Sequence, residues 1–491
     1  MSSDFALLLM LATLGFFGYI GWLAGRERQI DRDYYLSARG TQPWQVIGLS
    51  LFASGMGIWI LFSPSEVGYY SGFYDVFAYA LSAATPFLLL AYLGPMVRER
   101  LPDGVTLADY VRIRLGRLMQ TYVGIIAVLY MFTFLVAEFT AIGKAMHVLA
   151  GVEPIIPIVA VAAVTAAYTA YGGLPASLGT DRIQAWFIIW LLIVVALLML
   201  GEGPRDLWDR AVALNPEDDW SFGSITFTST ETLKSGLALL IAITAAEMFS
   251  QGNWQRTWAS RDDDALRRGA YLAAGLCFVA VLVMGFLGTV VAGDGAVADP
   301  SAAFFYLFDG YPALLLAFFV VLGVALVCSS VDTLQNAIVA SISQDIDVRA
   351  VKRFIYSELV PLGGLFKWVL DQPRFRGLRR RRDEFFKLNS EKAERNLSDQ
   401  RLTLAQARQV SLLLILPAIW LALEMQAASV FAIFLFADLL ATATVLPVLL
   451  SLWDRIVPRA ALAGAVAGLL SVVAYGAATA DVATGVGYLT S

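Results

Sequence analysis

Gly48-Leu49-Ser50-Leu51-Phe52-Ala53-Ser54-Gly55-Met56-Gly57-Ile58-Trp59, followed after Ile60-Leu61-Phe62 by Ser63-Pro64-Ser65-Glu66, is apolar enough to be buried and too rich in breakers to be one straight helix. Each glycine costs about 1 kcal/mol in a helix interior and proline about 3 kcal/mol, so the chain is expected to unwind near 54–57. Unwound backbone inside a membrane survives only where protein or a water-filled cavity covers it, and there its carbonyl oxygens are free for a hard cation. The other reading is close helix packing through the small residues.

The surroundings decide that this stretch lies in a membrane. The 491 residues are 58% hydrophobic and 15% charged, against roughly 45–50% and 25% in soluble domains, which excludes an ordinary soluble enzyme. Hydropathy places spans at 5–23, 44–68, 74–96, 120–147, 155–172, 182–200, 235–256, 268–292, 305–345, 409–424, 427–452 and 459–478. The whole chain, 1–491, reads as one transmembrane domain with a basic insert at 346–407. Met1-Ser2-Ser3-Asp4 carries no basic run, so the first span is expected to be a retained helix rather than a leader.

Arginine sets the orientation. With the N-terminus outside, the inner loops hold Arg26, Arg28, Arg32 and Arg39, then Arg98, Arg100, Arg112, Arg114 and Arg117, then Arg256, Arg261, Arg267 and Arg268. The 201–233 loop carries Glu217, Asp218 and Asp219 and falls outside. The net charge of −5 is therefore a sum over two oppositely charged faces, not an acidic partner surface. The basic run within 374–382 either fixes topology or touches anionic headgroups; nucleic acid is a poor reading. The multi-pass chain is expected in the plasma membrane, with no partner protein indicated.

Polar residues at membrane depth point to function. In span 9, Ser329, Asp332, Thr333 and Asn336 share one helical face beside Ser330. Span 7 holds Thr244, Glu247, Ser250, Gln251, Asn253 and Gln255, with Phe249 and Trp254 among them, and span 4 holds Glu138. Such groups either line a solute cavity, where a few polar side chains among aromatics fix orientation, or are satisfied within the packing. Cys277 and Cys328 lie in apolar runs and support neither a disulfide nor a metal motif. His147, the one histidine, has no visible nucleophile partner, and no enzymatic activity is expected.

An ordered set of motifs carries a resemblance. Asp33-Tyr34-Tyr35-Leu36-Ser37-Ala38-Arg39-Gly40 runs into Leu49-Ser50-Leu51-Phe52-Ala53-Ser54. Thr106-Leu107-Ala108-Asp109-Tyr110 precedes Arg114-Leu115-Gly116-Arg117. Tyr168-Thr169-Ala170-Tyr171-Gly172-Gly173 precedes Thr180-Asp181-Arg182-Ile183-Gln184, and Gln251 precedes Gln255-Arg256. From about 33 to 478, apart from the long insert, the chain resembles the sodium/solute symporter family, which includes proline, sialic acid, sugar and urea symporters.

The resemblance implies an all-α, leucine-transporter-like 5+5 inverted repeat, here approximately 44–200 and 235–452, with an extra N-terminal helix and at least one extra C-terminal helix. It implies Na+ at a principal site built from the carbonyls of Ala53, Met56 and Leu326 and the hydroxyls of Ser329 and Ser330. Some members hold a second cation, for which the matching positions are Asp181, Ser329, Asp332 and Thr333; the bland alternative pairs Asp181 with Arg182 or Arg256. Gly55 stands where related proline symporters carry aspartate. Gly55, Trp59, Glu138, Glu247, Phe249 and Gln251 are the candidate solute contacts, for a small polar solute such as an amino acid or a urea-like molecule. The implied activity is sodium-coupled symport by alternating access. A membrane sensor that binds solute without transporting it, and proton coupling through Glu138 or Glu247, are the alternatives.

Overall fold

The computed structural model describes residues 1–26, 31–212, 230–295, 297–308, 310–346, 402–452 and 456–479. Arg28, the acidic run Glu217-Asp218-Asp219, most of the 346–407 insert and the basic 374–382 run lie outside the described residues. The described chain is helical, with one isolated bridge between Gln42 and Ser260. In order the helices are α1 (Ser3–Arg26), α2 (Arg32–Ser37), α3 (Trp44–Gly55), α4 (Ser63–Ser71), α5 (Phe73–Arg100), α6 (Leu107–Ala150), α7 (Ile155–Glu202), α8 (Pro204–Val212), α9 (Thr230–Phe249), α10 (Gln251–Ala259), α11 (Asp263–Asp294), α12 (Ala303–Tyr306), α13 (Ala313–Gln344), α14 (Leu404–Leu413), α15 (Ile415–Glu424), α16 (Val430–Leu449) and α17 (Pro458–Thr479). Short 3-10 turns at Ile58–Leu61, Pro300–Ala302 and Leu450–Leu452 join them.

Among the described residues, eight helical stretches are long and apolar enough to cross a membrane, and two bent pairs qualify when each is taken as one span. The longest, α7, has 48 residues, about 72 Å at 1.5 Å per residue, more than twice the roughly 30 Å hydrocarbon core. Gly173, at φ 61°, breaks it into two crossings. With these and the shorter Pro458–Val472, the twelve hydropathy spans each find a helix. Gly116, at φ 82°, likewise separates a short first segment of α6 from span 4.

Local chemistry sets the boundaries. Thr106 caps α6 by accepting the Asp109 N–H at 3.0 Å, and Asp262 caps α11 by accepting that of Ala265 at 2.7 Å. Thr403 and Gln406 form a reciprocal capping box at α14. Span 9 is shorter than expected: Pro312 starts α13, and the preceding apolar residues form the separate turn of Pro300–Ala302 and α12. The described residues of 305–312 form a connection outside the crossing, buried at Phe305 and Phe308 and exposed at Tyr306, Gly310 and Pro312.

Two spans are broken. α3 and the Ile58–Ser71 segment meet at a 56° bend, and Lys234–Phe249 meets α10 at 54°. At the first break the backbone runs extended through Gly57 before the 3-10 turn, and Pro64 opens α4. The second falls at Ser250, also extended. α13 passes both breaks and packs on α6 and α7, which brings its polar face to the middle of the bundle.

Candidate functional site

The first break is built around Glu138. Its carboxylate lies so close to Gly57 that a Cβ there would come within 2.1 Å of Oε1; only glycine admits it. Glu138 Oε2 accepts the Ile58 N–H at 3.0 Å, satisfying one amide freed by the unwinding, and the Ser330 hydroxyl at 2.5 Å. Glu138 itself is 1% exposed. The sequence reading set Glu138 among the solute contacts; it also touches Ser330 of the expected principal sodium site.

The other expected sodium ligands sit on the same two elements. Ala53, Met56, Leu326, Ser329 and Ser330 are all buried. The Ala53 carbonyl accepts a long 3.2 Å bond from the Met56 N–H, and the Leu326 carbonyl lies 3.3 Å from the Ser330 hydroxyl oxygen. Ser329 donates to Asp181 Oδ1 at 2.7 Å. A serine that donates its proton keeps its oxygen lone pairs for a cation, so the donor set fits a hard alkali ion. Among the described residues no group of three or more His, Cys, Asp or Glu could hold a metal.

Asp181 and Asp332 are each buried but differently served. Asp181 pairs with Arg256 at 2.7 Å, both fully buried, and accepts from Ser50 at 2.5 Å and from Ser329. Arg256 also donates to Ser50 at 2.7 Å, to Thr333 at 2.7 Å and to the Gly252 carbonyl at 3.0 Å. Its guanidinium thus stands between Asp181 and Thr333, two of the positions that the resemblance gives to a second cation. Asp332 accepts from Tyr168 at 2.7 Å, Ser177 at 2.6 Å and Thr180 at 3.1 Å. The polar face of span 9 therefore divides into an arginine-paired half and a hydroxyl-lined half.

Beside the first break lie two adjoining cavities. One is lined by Gly55, Trp59, Tyr79, Phe134, Glu247, Phe434 and Asp438 among others. The second is lined by Trp59, Tyr130, Glu138, Glu247, Asn253, Ser330 and Thr333 among others. Gly55, Trp59, Phe134 and Glu247 belong to both. The walls are aromatic: Trp59 stacks on Tyr79 at 6.0 Å and meets Phe434 edge-on at 5.8 Å, while Phe134 meets Phe434 at 4.4 Å. Three lining residues are carboxylates and none is lysine, arginine or histidine.

Gly55, Trp59, Glu138 and Glu247 of the expected solute contacts line these cavities; Phe249 and Gln251 do not. Both are fully buried, and Gln251 instead accepts the Leu107 N–H at 2.7 Å while donating to the Phe249 carbonyl at 3.2 Å. Its polarity serves the packing where α10 meets the start of α6. Sequence reasoning passed over Asp438, a carboxylate inside span 11 that the rule used for Glu138 could have flagged, and Tyr79, Phe134 and Phe434, which no local signal distinguishes from core aromatics. Tyr130 and Asn253 orient Glu247, donating to its carboxylate at 3.5 and 3.1 Å.

Known proteins agree with this architecture. The profile of the sodium:solute symporter family matches residues 34–369. The spermidine transporter DUR31 of Candida albicans is 30% identical over 318 residues, 64% of this chain and 59% of that protein. The sodium/glucose cotransporter of Vibrio parahaemolyticus is 25% identical over 278 residues, 53% of this chain and 50% of that one. The matches thus span little more than half the length of these curated relatives. Among solved structures, a Na+-coupled sialic acid symporter in its substrate-bound outward-open state superposes with a TM-score of 0.68 at 15% identity, over 92% of this chain and 87% of that one. That likeness shows the fold, the leucine-transporter type.

Proposed function

Since this multi-pass chain belongs to the sodium:solute symporter family, we propose that it couples sodium entry to the uptake of a small organic cation of the polyamine class by alternating access. The acidic, aromatic cavity carries this reading: Glu138, Glu247 and Asp438 face it, no lining side chain is basic, and Trp59 and Tyr79 offer stacked π faces. Ammonium groups are held by carboxylates and by aromatic faces. An amino acid or a urea-like solute, the class suggested by the resemblance, would bring a carboxylate or a neutral amide to a lining with no positive side chain. The spermidine transporter among the relatives points the same way.

We place sodium on Ala53, Met56, Leu326, Ser329 and Ser330. One sodium per solute is the proposed coupling, because Arg256 already supplies a fixed positive charge between Asp181 and Thr333; a second cation near Asp332 is the competing reading. A tenfold sodium gradient is worth about 1.4 kcal/mol and 100 mV about 2.3 kcal/mol per charge, so one ion supplies roughly 3.7 kcal/mol. The positive solute gains further from an inside-negative potential. A plasma-membrane location with the N-terminus outside, and repeats at 44–200 and 235–452, complete the proposal.

Uptake into proteoliposomes tests it. An inward sodium gradient should drive accumulation of radiolabelled spermidine, competed by other polyamines and not by proline, urea or glucose. Accumulation of proline or urea with spermidine inert would overturn the cation reading. Binding without accumulation would indicate a sensor, and uptake undiminished by sodium removal would indicate proton coupling.

A further inference from the structure

We propose that Glu138 is the joint between the two ligands: a positioning residue whose single carboxylate orients the sodium-binding hydroxyl of Ser330, holds the broken end of span 2, and gives the solute cavity its charge next to the ion. The proposal deepens the symport reading and rests on it. Three observations meet on this residue. Glu138 Oε2 takes both the Ser330 hydroxyl and the Ile58 N–H. Its Oε1 is buried against Gly57 and takes no side-chain hydrogen bond among the described residues. The residue lines the same cavity as Glu247, Asn253, Ser330 and Thr333.

The physical consequence is a coupling. With its proton committed to Glu138, the Ser330 hydroxyl is fixed in one rotation, and its lone pairs are turned away from the carboxylate and toward an incoming cation. A sodium ion at Ser330 and an ammonium in the cavity are like charges that repel in a low-dielectric interior unless an anion lies between them. Glu138 touches Ser330 and faces the cavity, so it can offset that repulsion. Each cation then favours the other, and the effect is reciprocal by linkage. Removing the charge but keeping the shape should turn mutual enhancement into indifference or antagonism. A residue that only capped the broken helix would, on removal, weaken both ligands alike and leave their mutual effect intact.

Equilibrium binding of radiolabelled sodium and spermidine to the purified full chain in lipid nanodiscs separates these cases. In the native protein, saturating sodium should raise spermidine affinity about tenfold, and spermidine should raise sodium affinity by the same factor. Glu138→Gln should bring that factor to one or below and weaken sodium binding measured alone. Glu247→Gln should weaken spermidine while sodium alone binds as before. Glu138→Asp, which keeps the charge and shortens the reach to Ser330, should recover part of the spermidine affinity but not the sodium affinity, and it serves if the amide variant does not assemble. Retention of the full mutual enhancement in Glu138→Gln, or native sodium affinity in Glu138→Asp, overturns the inference. Should the native protein bind no spermidine, the symport reading fails in its solute class, and the sodium arm still decides: equal sodium affinity in Glu138→Gln and the native protein overturns the joint.

Discussion

Spans 2 and 7 are bent by nearly the same angle, 56° and 54°, yet their breaks are made of opposite materials. At the first, side chains are missing: Gly57 leaves room for the Glu138 carboxylate, which takes up the freed Ile58 amide. At the second, side chains do the work. Asn253 donates to the Glu247 carbonyl at 3.0 Å, Trp254 to that of Met248 at 2.8 Å and Gln251 to that of Phe249 at 3.2 Å, so the last carbonyls of α9 are satisfied from α10. Both solve the same problem, since orphan backbone groups at a helix end must find partners inside a membrane. The first solution admits a charge from a neighbouring helix and so links the break to Ser330 of the proposed ion site. The second is closed upon itself and turns Glu247 toward the cavity.

Arg256 ties the two together, reaching from α10 to Ser50 on α3, to Asp181 and to Thr333. Its replacement should have the largest effect. Arg256→Gln leaves Asp181 buried and unpaired, which typically costs about 3–5 kcal/mol. A sharp fall in apparent melting temperature in detergent, with loss of uptake, is expected; unchanged stability would mean the two broken spans are independent. Gly57→Ala comes next. It drives a methyl against the Glu138 carboxylate, an overpacking of about 1–3 kcal/mol, and should raise the sodium concentration for half-maximal uptake roughly tenfold or more. Asn253→Ala attacks the other break. It removes the donor to both the Glu247 carbonyl and its carboxylate, at about 1–3 kcal/mol for polar groups left unsatisfied, and should raise the half-saturating solute concentration while sodium dependence is little changed. If both variants moved the same parameter, the two breaks would not differ in role.

The difference also explains what the sequence disclosed. Gly55-Met56-Gly57 and Pro64 announce a break by their own propensities, and the ordered motifs carry the family and its fold. The break at Ser250 has no such mark, because ordinary polar residues bend the chain only once Asn253 and Trp254 fold back on carbonyls several positions earlier. The proposed sodium residues come from the resemblance alone, and Glu138 was legible as a cavity residue through its depth. That Glu138 bonds Ser330, and that Arg256 stands between Asp181 and Thr333, depends on which helices cross there, which periodicity does not encode. Asp438 was legible by the rule that found Glu138; Phe434 and Tyr79 were not, since an aromatic at a cavity wall and one in a core read alike.

The smallest effect is expected where the side-chain account of the second break is tested most directly. Ser250 sits at the bend with φ −62° and ψ 114°, a conformation open to any residue, so no glycine is required there. Ser250→Gly removes a side chain at the bend while leaving Asn253, Trp254 and Gln251 in place. Its cost is backbone entropy, roughly 0.5–1 kcal/mol; Ser250 also lines the second cavity, so the half-saturating solute concentration rises a few-fold at most while that for sodium stays within about twofold of the native protein. One methyl added at Gly57 should thus weaken the sodium dependence markedly, whereas a whole side chain removed at Ser250 should have little effect. A strong defect in Ser250→Gly would move the origin of the second bend from the reaching side chains to the backbone itself, and the two breaks would then be variants of one device.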